Sequence, residues 1–137
     1  MNKFFYIVLL LLTMISCSVE DKEQEYVIEN MPIESVFLPQ TFVFGETYSV
    51  TMTYNKPSTC HGYDGILYTK EGNVRTFAIQ NIVVTGDFCE NLTDELAETT
   101  FDITINEMEP YLLKFWQGTN DSGEDIFLEY EIMVVTN

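Results

Sequence analysis

Thr47-Tyr48-Ser49-Val50-Thr51-Met52-Thr53-Tyr54 alternates polar and apolar residues without a break. Successive side chains of a strand point to opposite faces, so Tyr48, Val50, Met52 and Tyr54 form one apolar face. Three threonines and Ser49 form the other. A helix would scatter the same residues around its circumference. The period recurs from Met31 onward, and a helical period does not. Thr99 to Asn106 sends Phe101, Ile103 and Ile105 to one side. Ile33 to Leu38 and Thr41 to Phe44 read as a short edge strand broken at Pro39, since proline cannot donate to a ladder. Asp94 to Ala97 reads as a single helical turn in an otherwise irregular acidic stretch, Gly86 to Glu98.

Two hairpins follow from turn chemistry. Gly72-Asn73 joins Gly65–Thr69 to Val74–Val84, which sets Ile66 opposite Ile79 and Tyr68 opposite Phe77. The second joins Tyr111–Gln117 to Ile126–Val135 through a polar loop. Pairing Gly118 with Asp125 sets Phe115, Leu113 and Tyr111 against Leu128, Tyr130 and Ile132 in a core. The other face then carries Lys114 against Glu129 and Trp116 against Phe127. An opposite-charge pair and an aromatic pair arise from one register, and such pairs each stabilise a sheet by about 0.2–1 kcal/mol. A slip of one residue would turn Glu129 and Glu131 inward. The expected fold is all-β, an antiparallel immunoglobulin-like β-sandwich of about seven strands, with a small β-barrel as the alternative.

The N-terminus reads as an address. Lys3 precedes an apolar run, Phe4 to Ile15, interrupted only by Thr13. A bilayer-spanning helix needs about 20 residues, and a shorter apolar core behind a basic start is a signal peptide. Ser16-Cys17 closes the run with a small residue and a thiol, the pattern of a lipidated cysteine. The alternatives are an ordinary cleavage site and an uncleaved anchor. The organisation expected is a signal peptide over 1–16, a lipidated Cys17 opening an acidic tether over 17–31, and a β-sandwich over 32–137. Several acyl chains hold a protein at a membrane where one does not.

Charge narrows the partners. The chain carries a formal charge of −16, and loss of Lys3 with the leader makes it −17. Such a chain repels nucleic acid, so no nucleic-acid partner is expected. It has no basic patch for anionic lipid, so the lipid anchor alone is the expected link to the membrane. Outside the leader two cysteines remain, Cys60 and Cys89, and an even pair in an exported chain is expected to bridge. Closing a loop of that length stabilises by about 3.5 kcal/mol in the chain-entropy model. Two buried thiols are the alternative.

Catalytic chemistry is sparse. His61 is the single histidine, and it adjoins Cys60. No nucleophile elbow, phosphate loop or metal-ligand helix is present, so no enzyme activity and no cofactor are expected. Two other groupings remain. Asn120, Asp121, Glu124 and Asp125 cluster hard oxygens around Gly123, as calcium loops do, but without the EF-hand spacing. A plain polar hairpin loop is the competing reading. Trp116 and Phe127, with Lys114 and Glu129, form a candidate binding surface on the outward face of the last hairpin. The competing reading is that another segment or a second copy covers them.

Two stretches resemble known proteins. Glu20-Asp21, shortly after Cys17, is similar to the export signal that sends Bacteroidota lipoproteins to the outer face of the outer membrane. Lys114-Phe115-Trp116-Gln117-Gly118 with Gly123 to Leu128 resembles the C-terminal signature of small Bacteroidota lipoproteins with an Ig-like fold and no assigned activity. The resemblance implies an outer-membrane, lipid-anchored protein facing the cell exterior, the periplasmic face being the alternative. It implies no functional residue. The expected function is a non-enzymatic interaction domain of the envelope, whose partner is an envelope protein first, with a glycan as the alternative. A purely structural role, by addition of the Ile33–Phe44 edge to another sheet, is the rival.

Overall fold

The computed structural model describes residues 25–136. Among these residues the chain forms nine strands and no helix. They are β1 (Tyr26–Met31), β2 (Ile33–Phe37), β3 (Thr41–Val43), β4 (Thr47–Asn55), β5 (His61–Glu71), β6 (Val74–Val84), β7 (Leu96–Thr104), β8 (Tyr111–Thr119) and β9 (Asp125–Val135). β2, β4 and β7 make one sheet, and the other six make the second. Neither sheet closes into a barrel, and the all-β sandwich expected from the sequence is the fold.

The period-two strands do what their residues dictate. Val50, Met52 and Tyr54 of β4 are buried with Ile33 of β2 and Ile103 of β7. They meet Phe42, Phe77, Ile79, Tyr111, Leu113, Phe115 and Ile132 of the larger sheet. Both predicted hairpin registers are present, Ile66 opposite Ile79 and Tyr68 opposite Phe77 in the first, and Tyr111 to Trp116 against Ile132 to Phe127 in the second. Past Trp116 the second register shifts, so Gly118 pairs with Ile126 rather than Asp125. Gln117 is the extra residue of a bulge, and Gly118 sits at φ +115° beside it. Glycine tolerates that backbone where a side chain would not.

The connectivity differs from a simple antiparallel order in two places. β3 lies parallel to β9, and β6 lies parallel to β8. Both follow from the chain changing sheets. At Pro39 the expected edge strand leaves the smaller sheet as β2 and re-enters the larger as β3. β5 occupies one side of β6 along almost its whole length. The other side is shared end to end, β8 on Val74–Phe77 and β1 on Ile79–Val84.

β1 corrects the expected tether. The sequence predicts an acidic, disordered tether over 17–31, yet Tyr26–Met31 pairs with β6 over six residues. Only Met31 is buried in this strand, so it lacks the half-buried alternation that marks a strand in sequence. Asp94–Ala97 is no helical turn either. Asp94 takes a positive φ of 56° and Leu96 already belongs to β7. The leader, Cys17 and Glu20-Asp21 lie outside the described residues.

Alternation also carries Arg75 inward on β6, where its side chain is 2% exposed. The cost of burying a guanidinium is met by partners. Its Nη1 donates to the carbonyls of Gly72 and Val74, and Nη2 donates to Glu107 at 3.0 Å. The Tyr111 ring lies 4.7 Å below its Cζ. Lys70 also reaches Glu107, at 2.7 Å. Hydrogen bonds from Lys70 first and Arg75 second hold the Glu107 carboxyl below the usual glutamate range. A carboxyl lowered in this way adds stability above its unfolded-state value, and that share is lost as pH falls through the folded-state value. Glu107→Gln should therefore weaken the fold at neutral pH. Its deficit against wild type in urea melts should shrink as pH drops below the ordinary glutamate range. A deficit constant with pH would refute this account.

Candidate functional site

Three tethers shape the end of the sandwich where β1 gives way to β2. Pro32 carries the chain from the larger sheet to the smaller. Gln117 Nε2 donates to the Ile33 carbonyl at 3.2 Å, which ties the end of β8 to that crossing. The acidic loop after β6 is fastened along residues 56–60. Lys56 N–H donates to the Glu95 carbonyl, Leu92 N–H to Pro57, and Thr59 N–H to Glu90, all at 2.8–2.9 Å. Cys60 and Cys89 are disulfide-bonded beneath these contacts, with Cα atoms 5.4 Å apart. The irregular loop of the sequence is thus held like a strand edge.

These tethers enclose an open groove of about 580 Å³. Its walls are Met31, Pro32, Pro57, Leu92 and Trp116, with the amides of Asn30, Asn55 and Asn91 between them. Glu29 and Glu34 complete the lining. A second hollow of about 410 Å³ shares Glu34 and Asn55 and continues past Ser35 and Thr53 to Leu96. No lysine or arginine lines either.

The predicted outward surface is present beside this groove. Trp116 stands opposite Phe127, and Lys114 opposite Glu129. Lys114 Nζ lies 3.0 Å from Glu129 Oε1 and 4.5 Å from the Phe127 ring centroid. Trp116 Nε1 donates to Asp125 Oδ1 at 2.9 Å. Both aromatic rings are half-buried, whereas Phe115 on the opposite face is fully buried. The indole is thus held by its polar edge while part of its surface stays open to the groove.

The acidic loop closes on itself. Asn120 Oδ1 accepts from the N–H groups of Ser122 and Glu124 at 2.9 and 3.0 Å, and Asn120 Nδ2 donates to Glu124 Oε2 at 3.0 Å. These are the contacts of a side-chain-stabilised turn. They engage the Asn120 oxygen and one Glu124 oxygen that a calcium ion would need, and Asp125 receives the indole N–H. Among the described residues no group of three His, Cys, Asp or Glu converges on a point.

The sequence did not reveal a second polar cluster. Ser58 Oγ lies 2.8 Å from His61 Nδ1, and His61 Nε2 lies 3.3 Å from Glu29 Oε2. Spacing within one turn could have suggested the first contact, but nothing local suggests Glu29. In a Ser-His-Asp triad the nucleophile meets Nε2 and the acid meets Nδ1. Here the order is reversed, and Ser58 Oγ, buried in the turn, accepts the Cys60 N–H at 3.2 Å. The cluster fastens β1 to the disulfide-bearing turn. The groove residues Asn30, Asn55 and Asn91 were also missed, since they come from three separate segments.

No family model, curated protein or solved structure matches the chain.

Truncation separates the two faces of β8. Phe115→Ala should cost about 3–5 kcal/mol in urea unfolding, the range for an aromatic removed from a core. Trp116→Ala should cost clearly less, because only part of the indole is packed. Equal losses would make Trp116 a core residue and remove the surface. For the loop, millimolar calcium should leave the melting temperature of wild type and Asp121→Ala alike. A calcium shift of several degrees, absent in Asp121→Ala, would restore a metal site.

Proposed function

We propose that this chain is a non-enzymatic, lipid-anchored recognition domain of the cell envelope, of the small Bacteroidota lipoprotein kind, displayed on the outer membrane. The leader ending in Ser16-Cys17 supports the anchor. The recognition surface is the groove beside Trp116, and its ligand chemistry is that of a neutral glycan. The observation that carries this reading is one indole, fixed by its N–H to Asp125, lining a single groove with three amides. A pyranose ring presents a face of C–H bonds that packs on an indole, whose π face is electron-rich. Its hydroxyls both donate and accept, as do the Asn30, Asn55 and Asn91 amides. Concave sites typically combine apolar walls with a few placed polar groups. Glu29 and Glu34, with no lysine or arginine in the lining, disfavour sulfated or uronic glycans. An envelope protein is the second reading, and Phe127 beside the groove favours it, because aromatic residues are enriched in protein contacts and the Lys114–Glu129 pair fits the polar rim of one.

Two measurements test this. Cell fractionation should find the wild-type protein in the membrane with an acylated Cys17, and Cys17→Ala should be soluble or uncleaved. Calorimetric titration of the full-length protein against neutral and acidic oligosaccharides should detect only the neutral ones. Trp116→Ala should lower that affinity by about tenfold or more, a change of about 1.4 kcal/mol. If no neutral glycan binds, while Trp116→Ala or Lys114→Ala abolishes capture of an envelope protein, the protein reading stands instead.

A further inference from the structure

The tip of the larger sheet is apolar on both faces. β1 enters it with Tyr26, Val27 and Ile28 at 62%, 53% and 48% exposure. Neighbouring strand residues point to opposite faces, so a normal strand exposes only one set. Here both sets are bare, because the smaller sheet does not extend over this tip. Phe88 and Tyr63, at 62% and 51%, belong to the same end. Tyr26 pairs with Val84, and Thr85 N–H donates to the Glu25 carbonyl at 3.1 Å. Val84 N–H donates to the Cys60 carbonyl, and Cys60 is bonded to Cys89, next to Phe88. Tyr63 lies opposite Asn81, two residues before Val83 on β6.

We propose that this tip rests in the headgroup region of the bilayer that holds the anchor. The inference rests on the reading of Cys17 as lipidated. Tyr26 lies nine residues after Cys17, a reach of about 30 Å when fully extended. The tip is therefore the part of the domain from which the anchor departs. The opposite end of β6 lies about 35 Å further away at the rise of a strand, beyond that reach. A projection bare on both faces suits insertion into a soft, disordered interface better than docking on a flat protein face. Tyrosine and phenylalanine supply the apolar body for that region, and the tyrosine hydroxyls its polar contact. Glu25, Asp64, Asp87 and Glu90 are exposed around the tip, so headgroups without net negative charge are favoured.

The chain holds a single tryptophan, so Trp116→Phe gives a silent background. In that background Phe88→Trp reports on the tip, and Met108→Trp on an exposed loop at the other end. Full-length acylated protein is reconstituted into phosphatidylcholine vesicles with brominated acyl chains, which quench tryptophan on contact. Emission from position 88 should be strongly quenched and blue-shifted, and emission from position 108 should not. Adding phosphatidylglycerol should weaken the quenching at 88. Equal emission from both positions, quenched or unquenched, overturns the proposal. So does quenching at 88 that appears only between protein copies at high protein-to-lipid ratio, which would assign the tip to a second copy. The mass of Cys17 in the same sample separates the two ideas. An unmodified cysteine removes the anchor and the seat with it, whereas an acylated protein with an unquenched tip removes the seat alone.

Discussion

The shared edge of β6 shapes the rest of the molecule. One long strand accepts β8 on its first residues and β1 on its last, with Ala78 at the seam between Phe77↔Phe115 and Ile79↔Met31. Two strands meeting end to end cannot both continue straight. β1 must leave at Pro32 for the other sheet, and β8 must bend, which it does at the Gln117 bulge. The departure opens the groove and the bend sets Trp116 beside it. Backbone hydrogen bonding therefore places the candidate site, because each strand satisfies its donors and acceptors on β6 before it turns away.

Stability is distributed unevenly about that seam. On the β8 side the core is aromatic. Phe77 stacks on Phe115 at 4.9 Å and meets Phe101 edge-on at 5.3 Å, while Tyr68 stacks on Phe101 at 4.7 Å. Such pairs add about 0.5–1.5 kcal/mol each beyond their buried area. On the β1 side this packing ends. Asn81 is fully buried there without a well-formed hydrogen bond, although the Tyr54 hydroxyl lies close to it. An unsatisfied buried amide costs about 1–3 kcal/mol. The disulfide, the Ser58–His61–Glu29 contacts and the bonded loop compensate at this end with covalent and polar links. Cross-links commonly serve small domains where the core is thin.

How much of this the sequence disclosed depends on whether the signal was local. The alternation of Thr47–Tyr54 and the two hairpin registers are local, and they were legible because β4, β6 and β8 each bury one face. The Cys60–Cys89 pairing was legible from the parity of the cysteines and the expectation of export. β1 was not, because it is a strand by backbone pairing alone, with acidic neighbours and one buried side chain. Trp116 and Lys114 could be placed on the outward face from the register, but the groove could not. Asn30, Asn55, Asn91 and Trp116 meet only through the sheet change at Pro32 and the disulfide loop. The inward Arg75 was legible in principle, since it shares parity with Phe77. Its partner Glu107 lies in a loop that no period predicts.

The groove and the tip lie on the same strand, which links the two proposals physically. From Tyr26 to Met31 β1 rises by about 17 Å. With the tip at a membrane surface, the groove lies at about that height above it. It would meet material lying close above the headgroups. The tether would then serve to hold the domain in one orientation, since a seated tip removes the rotational freedom that a flexible linker alone leaves. A recognition surface held at fixed height and orientation loses less entropy on binding than one that tumbles. This gives the bare apolar residues of β1 a role that its backbone pairing does not require.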